Sequence, residues 1–81
     1  MEKTITINNT EGLHAQLANK LVQVSNKFDV DVRLEYENVT IDARSILGLM
    51  SLAVPKGKNV KVVAEGDDAL IAIAEVEKIL G

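Results

Sequence analysis

Asp29-Val30-Asp31-Val32-Arg33-Leu34-Glu35-Tyr36-Glu37-Asn38-Val39-Thr40-Ile41-Asp42-Ala43 is the stretch on which the fold of this chain turns. Val30, Val32, Leu34 and Tyr36 alternate with Asp31, Arg33, Glu35 and Glu37, and the alternation returns at Val39, Ile41 and Ala43. Successive side chains of a strand point to opposite faces, so this pattern predicts two strands, each with one apolar face. The break at Glu37-Asn38 predicts a hairpin, because Asn tolerates the positive φ of a tight turn.

The same reading extends outward in both directions. Upstream, Lys3 to Asn8 places Ile5 and Ile7 on one face and predicts a first strand. The turn-forming run Asn8-Asn9-Thr10-Glu11-Gly12 follows it. A helix is expected from about Ala15 to Lys27, with Ala18, Leu21, Val22 and Ser25 inward and Phe28 closing its apolar face. Downstream, Ser45 opens a short helix to Leu52, and Val54-Pro55-Lys56-Gly57 breaks it. Val60, Val62 and Ala64 then form a fourth strand ending at Gly66. Asp67-Asp68 starts a final helix reaching Leu80, with Ala69, Ile73, Val76 and Leu80 as its inner stripe. The order βαββαβα predicts an α+β fold, an open-faced sandwich in which three helices cover one face of a four-stranded antiparallel sheet. With no linker or repeat, a single domain over residues 1–81 is expected.

Composition narrows the function. At 81 residues and 47% hydrophobic content there is enough for one small core. A net charge of -3 argues against a binder of phosphate backbones, and Phe28 and Tyr36 as the only aromatics leave no base-stacking platform. The lack of cysteine excludes disulfides, thiolate zinc sites and thiol catalysis. Residues 1–9 alternate and so do not read as a signal peptide, and no run of about eighteen apolar residues suggests a membrane span. A soluble, cytoplasmic protein is expected.

All imidazole chemistry rests on His14, the single histidine, so a multi-histidine metal site is impossible. It falls at the start of the first helix, where first-turn N–H groups lack intrahelical partners and attract anions. There an imidazole serves as a general base or as a nucleophile taking a phosphoryl group that the helix N-terminus then stabilises. One ring nitrogen must be free of its proton to attack, so the neutral tautomer is the working form. A lone histidine at a helix start is also commonly just a polar cap, and position alone leaves both readings open.

Neighbouring residues separate them. Gly12-Leu13-His14-Ala15, then Ser45-Ile46-Leu47-Gly48-Leu49-Met50-Ser51-Leu52, Pro55-Lys56-Gly57 and Ala64-Glu65-Gly66-Asp67-Asp68, in this order and spacing, resemble the HPr family over essentially the whole chain. HPr is the histidine-containing phosphocarrier of the bacterial phosphoenolpyruvate-dependent sugar phosphotransferase system. The resemblance implies that Nδ1 of His14 accepts a phosphoryl group from enzyme I and passes it to enzyme II A domains. The first-turn amides of Ala15, Gln16 and Leu17 would hold the phosphate, with no metal or other cofactor. It also implies a monomer, while the acidic balance and the lack of a long apolar run lead us to expect neither nucleic acid nor membrane as a partner.

Two residues depart from the family pattern. The usual Ala-Arg-Pro-Ala reads Ala15-Gln16-Leu17-Ala18 here. Gln16 offers neutral hydrogen bonds where arginine offers charge-assisted ones about twice as strong, which is expected to weaken transfer. Leu17 restores an N–H that proline lacks but loses its fixed φ. Lys20 is the nearby residue that could replace the missing cation.

Ser45 reads on its own as a helix N-cap. The resemblance adds regulatory phosphorylation by HPr kinase/phosphorylase, with catabolite control protein A as a partner of the phosphorylated form. Leu47, Gly48 and Met50, together with Ile46 and with Lys20 from the first helix, are the expected docking patch, although a short amphipathic helix must bury at least two of its apolar residues. The main alternative is a Crh-like regulatory paralogue that transfers little phosphate. Gln16 and Leu17 favour that alternative, while His14, lost in Crh-type proteins, opposes it. A stand-alone enzyme is disfavoured, because no acid/base pair accompanies the histidine.

Overall fold

The computed structural model describes all residues from Met1 to Gly81. The elements are β1 (Glu2–Thr6), α1 (Ala15–Lys27), β2 (Asp31–Tyr36), β3 (Val39–Asp42), α2 (Ile46–Ser51), β4 (Asn59–Glu65) and α3 (Ala69–Leu80). They form an open four-stranded antiparallel sheet in the order β1-β4-β2-β3, with the three helices on one face.

The hairpin forms as its alternation requires. Tyr36 pairs with Val39 across a two-residue loop, with Glu37 and Asn38 at φ 49° and 67°, the geometry that matches the twist of the flanking strands. Val32 and Leu34 of β2, Val60, Val62 and Ala64 of β4, and Ile5 and Ile7 at the β1 edge are buried beneath the helices. The opposite face is laced with ion pairs, including Lys61 with Glu2 and Arg33 with Glu65 and Asp31. β1 ends two residues earlier than its alternation predicts. Ile7 is still held, its N–H donating to Lys58 O and its carbonyl accepting from Gly57 N–H.

Two helix stripes shift from expectation. On α1 the buried residues are Leu17, Ala18, Leu21, Val24 and Ser25. This is the i, i+1, i+4, i+7, i+8 stripe of a 3.6-residue period, which leaves Val22 on its flank, half-buried. On α3, Ala72 joins Ile73, Val76 and Leu80 inside and Ala69 is half-buried. Asp68 precedes α3, but its carboxylate makes no cap. It accepts the N–H of Asp29 at 2.7 Å and ties the start of α3 to the entry of β2. Arg44 makes a similar tie, donating to Val30 O at 3.0 Å and Ser25 O at 3.4 Å across the end of α1.

Candidate functional site

The loop that delivers His14 is built from Asn9 onward. The side-chain oxygen of Asn9 accepts the N–H of Glu11 at 3.0 Å, and its carbonyl accepts that of Gly12 at 2.9 Å. Gly12 sits at φ +70°, and a Cβ there would lie 2.3 Å from Val54 O. The next N–H, that of Leu13, donates to this same oxygen at 2.8 Å. The loop before α1 is thus seated on the chain leaving α2, and Leu13, buried, anchors it to the core. Asn9 and Val54 are the positioning residues that sequence reasoning missed. The Asn-x-x-Gly turn was a visible signal for the first, whereas a backbone contact from the far side of α2 leaves none for the second.

His14 is the N-cap of α1, with extended backbone, and its carbonyl accepts the first helical bond from Ala18 N–H at 2.9 Å. Its ring does what cap oxygens usually do: Nδ1 accepts the N–H of Gln16 at 3.3 Å. Nδ1 is therefore the unprotonated nitrogen and Nε2 carries the hydrogen. The N–H groups of Ala15 and Leu17 have no acceptor in the protein. The first turn thus offers one donor engaged by Nδ1 and two free ones, in the positive field of a thirteen-residue helix. The structure shows the cap, and the same bond turns Nδ1 toward the first turn of α1. His14 itself is half-exposed.

Of the other expected site residues, Gln16 and Lys20 are exposed on α1, while the side chain of Leu17 is buried in the core and its N–H is one of the free first-turn donors. On α2, Ser45 caps the helix, accepting the N–H of Gly48 at 3.0 Å, and remains exposed. Leu47 is 86% exposed, Ile46 42% and Met50 39%, while Leu49 is fully buried. Three apolar side chains therefore form a surface patch on a helix packed beside α1. The tightness at Gly48 is internal: a Cβ would lie 2.6 Å from Ile41 Cγ2 on β3. A concavity of about 320 Å³ lies elsewhere, between β1 and α3, with Met1, Leu70, Ile73 and Ala74 in its walls.

An open-faced βαββαβα sandwich whose one imidazole caps its first helix is the architecture of the small phosphocarrier proteins. The family model described as the PTS HPr component phosphorylation site matches residues 1–81, and the chain belongs to the HPr phosphocarrier family. It is 44% identical to the phosphocarrier protein HPr of Haloferax volcanii, covering 99% of this chain and 92% of that one. The crystal structure of a phosphocarrier protein HPr from Bacillus anthracis superposes with a TM-score of 0.93 at 32% identity, covering 100% of this chain and 96% of that one. Crh, the catabolite repression protein of Bacillus subtilis, superposes with a TM-score of 0.75 at 37% identity, covering 93% of this chain and 86% of that one.

Proposed function

We propose that His14 accepts a phosphoryl group on Nδ1 from enzyme I, charged by phosphoenolpyruvate, and passes it to an enzyme II A domain in sugar uptake. The working unit is one cytoplasmic, monomeric domain over residues 1–81. The observation that carries this reading is the pairing of Nδ1 with Gln16 N–H beside the free N–H groups of Ala15 and Leu17. As Nδ1 attacks phosphorus, the donor's bond to phosphorus breaks and the cap bond opens. Gln16 N–H then turns to a phosphoryl oxygen, exchanging a neutral hydrogen bond worth about 1 kcal/mol for a charge-assisted one of about 1.5–3 kcal/mol. Nε2 can release its proton once the ring has been phosphorylated. The chain supplies the nucleophile and the anion cradle, and its partners supply the remaining catalytic groups.

The exposed patch of Ile46, Leu47 and Met50, together with the exposed Lys20 of α1, is the proposed docking surface for enzyme I and enzyme II A domains. Ser45, exposed at the edge of that patch, is the proposed target of HPr kinase/phosphorylase. A phosphate there would favour the end of α2 from which it projects and burden docking with a buried charge. The phosphorylated form would engage catabolite control protein A.

Incubation with enzyme I and phosphoenolpyruvate should give an acid-labile phosphoryl label that is absent in His14→Ala. A wild-type chain left unlabelled by an active cognate enzyme I would overturn the carrier reading in favour of a Crh-like regulator. With ATP and the kinase, an acid-stable label lost in Ser45→Ala is expected, and its absence from wild type would remove the regulatory role.

A further inference from the structure

We propose that Lys20 is the cation that holds the dianionic phosphoryl group on His14, an inference that rests on the phosphoryl-acceptor reading above. The first turn of α1, Ala15-Gln16-Leu17-Ala18, carries no charge. Five of the nine cations are engaged elsewhere. Lys3 pairs with Glu77, Lys61 with Glu2, Arg33 with Asp31 and Glu65, and Arg44 with Asp31 and Asp42, while Lys27 lies over the Phe28 ring. The four without a partner, Lys20, Lys56, Lys58 and Lys78, all fall toward the end of the molecule where His14 stands. Lys56 follows the backbone seated on Gly12, Lys58 accepts the N–H of Ile7, and Lys78 is in the last turn of α3, whose Leu80 carbonyl meets Asn8. Asp29, Glu65, Asp67 and Asp68 gather at the opposite end, where α1 stops and α3 starts.

Among the four, only Lys20 is on the helix whose N-terminus faces Nδ1. It stands four residues after Gln16, so the two side chains share one stripe of α1. Helical Cα–Cβ bonds tilt toward the N-terminus, so the lysine stem starts out toward the turn of Gln16. The intervening turn is about 5.4 Å, a span its four-carbon stem covers. Glu11 is the only acid in the loop between β1 and α1, and it forms no ion pair with Lys20. The ammonium is free for an incoming anion.

The test uses the full chain phosphorylated with phosphoramidate, a small donor that needs no enzyme I. Nδ1 forms a bond to phosphorus, the donor's P–N bond breaks, and its electron pair and a proton leave as ammonia. The second ionisation of the phosphohistidine is then followed by phosphorus NMR across pH. Removing a unit charge about 6 Å away in a near-aqueous dielectric should raise that pKa by about 0.5, a threefold change in the ionisation constant. Lys20→Gln should show this rise, Lys20→Arg should not, and Gln16→Arg added to Lys20→Gln should reverse it. Lys56→Gln should have a smaller effect. An unchanged titration in Lys20→Gln, or a larger rise in Lys56→Gln, would overturn the assignment. Failure of transfer from enzyme I alone would sink the carrier reading and leave the Lys20 comparison intact. No phosphoramidate label on wild type would overturn both.

Discussion

Replacing Gly12 with alanine tests whether the seat beneath His14 is set by backbone conformation alone or by contact with the chain leaving α2. Gly57 provides the control. Both glycines have positive φ, +70° and +89°, but a Cβ at Gly57 meets nothing within 4 Å, whereas at Gly12 it would lie 2.3 Å from Val54 O and 3.0 Å from the Cα of Pro55. The conformational penalty, about 1 kcal/mol, is common to both. At Gly12 the neighbours are backbone and cannot swing aside, so the segment must shift. The bond from Leu13 N–H to Val54 O is lost, about 1 kcal/mol, with about 1–2 kcal/mol more for displaced packing. Gly57→Ala should therefore cost about 1 kcal/mol and Gly12→Ala about 3–4 kcal/mol. With a urea m-value near 1 kcal/mol/M for a domain of this size, the midpoints should fall by about 1 M and about 3–4 M. Under conditions where both variants remain folded, phosphoryl uptake at His14 should drop in Gly12→Ala and hold in Gly57→Ala. Equal midpoint shifts in the two variants would refute the claim that Val54 seats the loop.

Other expectations follow from single residues. Leu47→Ala should leave stability within about 0.5 kcal/mol of wild type while slowing transfer from enzyme I, whereas Leu49→Ala should cost about 2–5 kcal/mol by opening a cavity; chemical denaturation and transfer kinetics together check both. Ala53 follows α2 at φ +50°, a conformation that glycine adopts without strain, so Ala53→Gly should raise the denaturation midpoint by about 0.5–1 kcal/mol equivalent. Burial, and then the charge and hydrogen bonding of neighbouring Glu37, push the Tyr36 phenol above the ordinary tyrosine value of 10.0. The neutral phenol is the form favoured by folding. Its contribution is therefore full below the ordinary tyrosine pKa and is lost as pH rises through the elevated value. Absorbance titration should find a midpoint above 10, moved downward in Glu37→Gln.

Element identity was legible in the sequence because it depends on local periodicity. The period-two runs around Glu37-Asn38 and the 3.6-residue spacing from Ala15 to Lys27 each state which side of one segment is apolar, and α1 falls where its spacing placed it. His14 was legible for the same reason, as a polar residue between a turn and a helix. Relations between segments were not. Leu17 and Val22 are both apolar residues on α1, and only the direction of the sheet makes one core and the other flank. Asp68 reads as a cap in any local window, yet Asp29, thirty-nine residues away, supplies a better donor than the helix does.

By itself, then, the sequence determined the segments, the hairpin turn and the single imidazole at a helix start, since steric and hydrophobic preferences act within a few residues. Tertiary structure decided the strand order β1-β4-β2-β3, the seating of Gly12 on Val54, the exposure of Leu47 beside a buried Leu49, and which cations find an acidic partner. Those outcomes depend on which distant backbone groups and charges come within reach of one another, and reach is settled only when the sheet and helices pack.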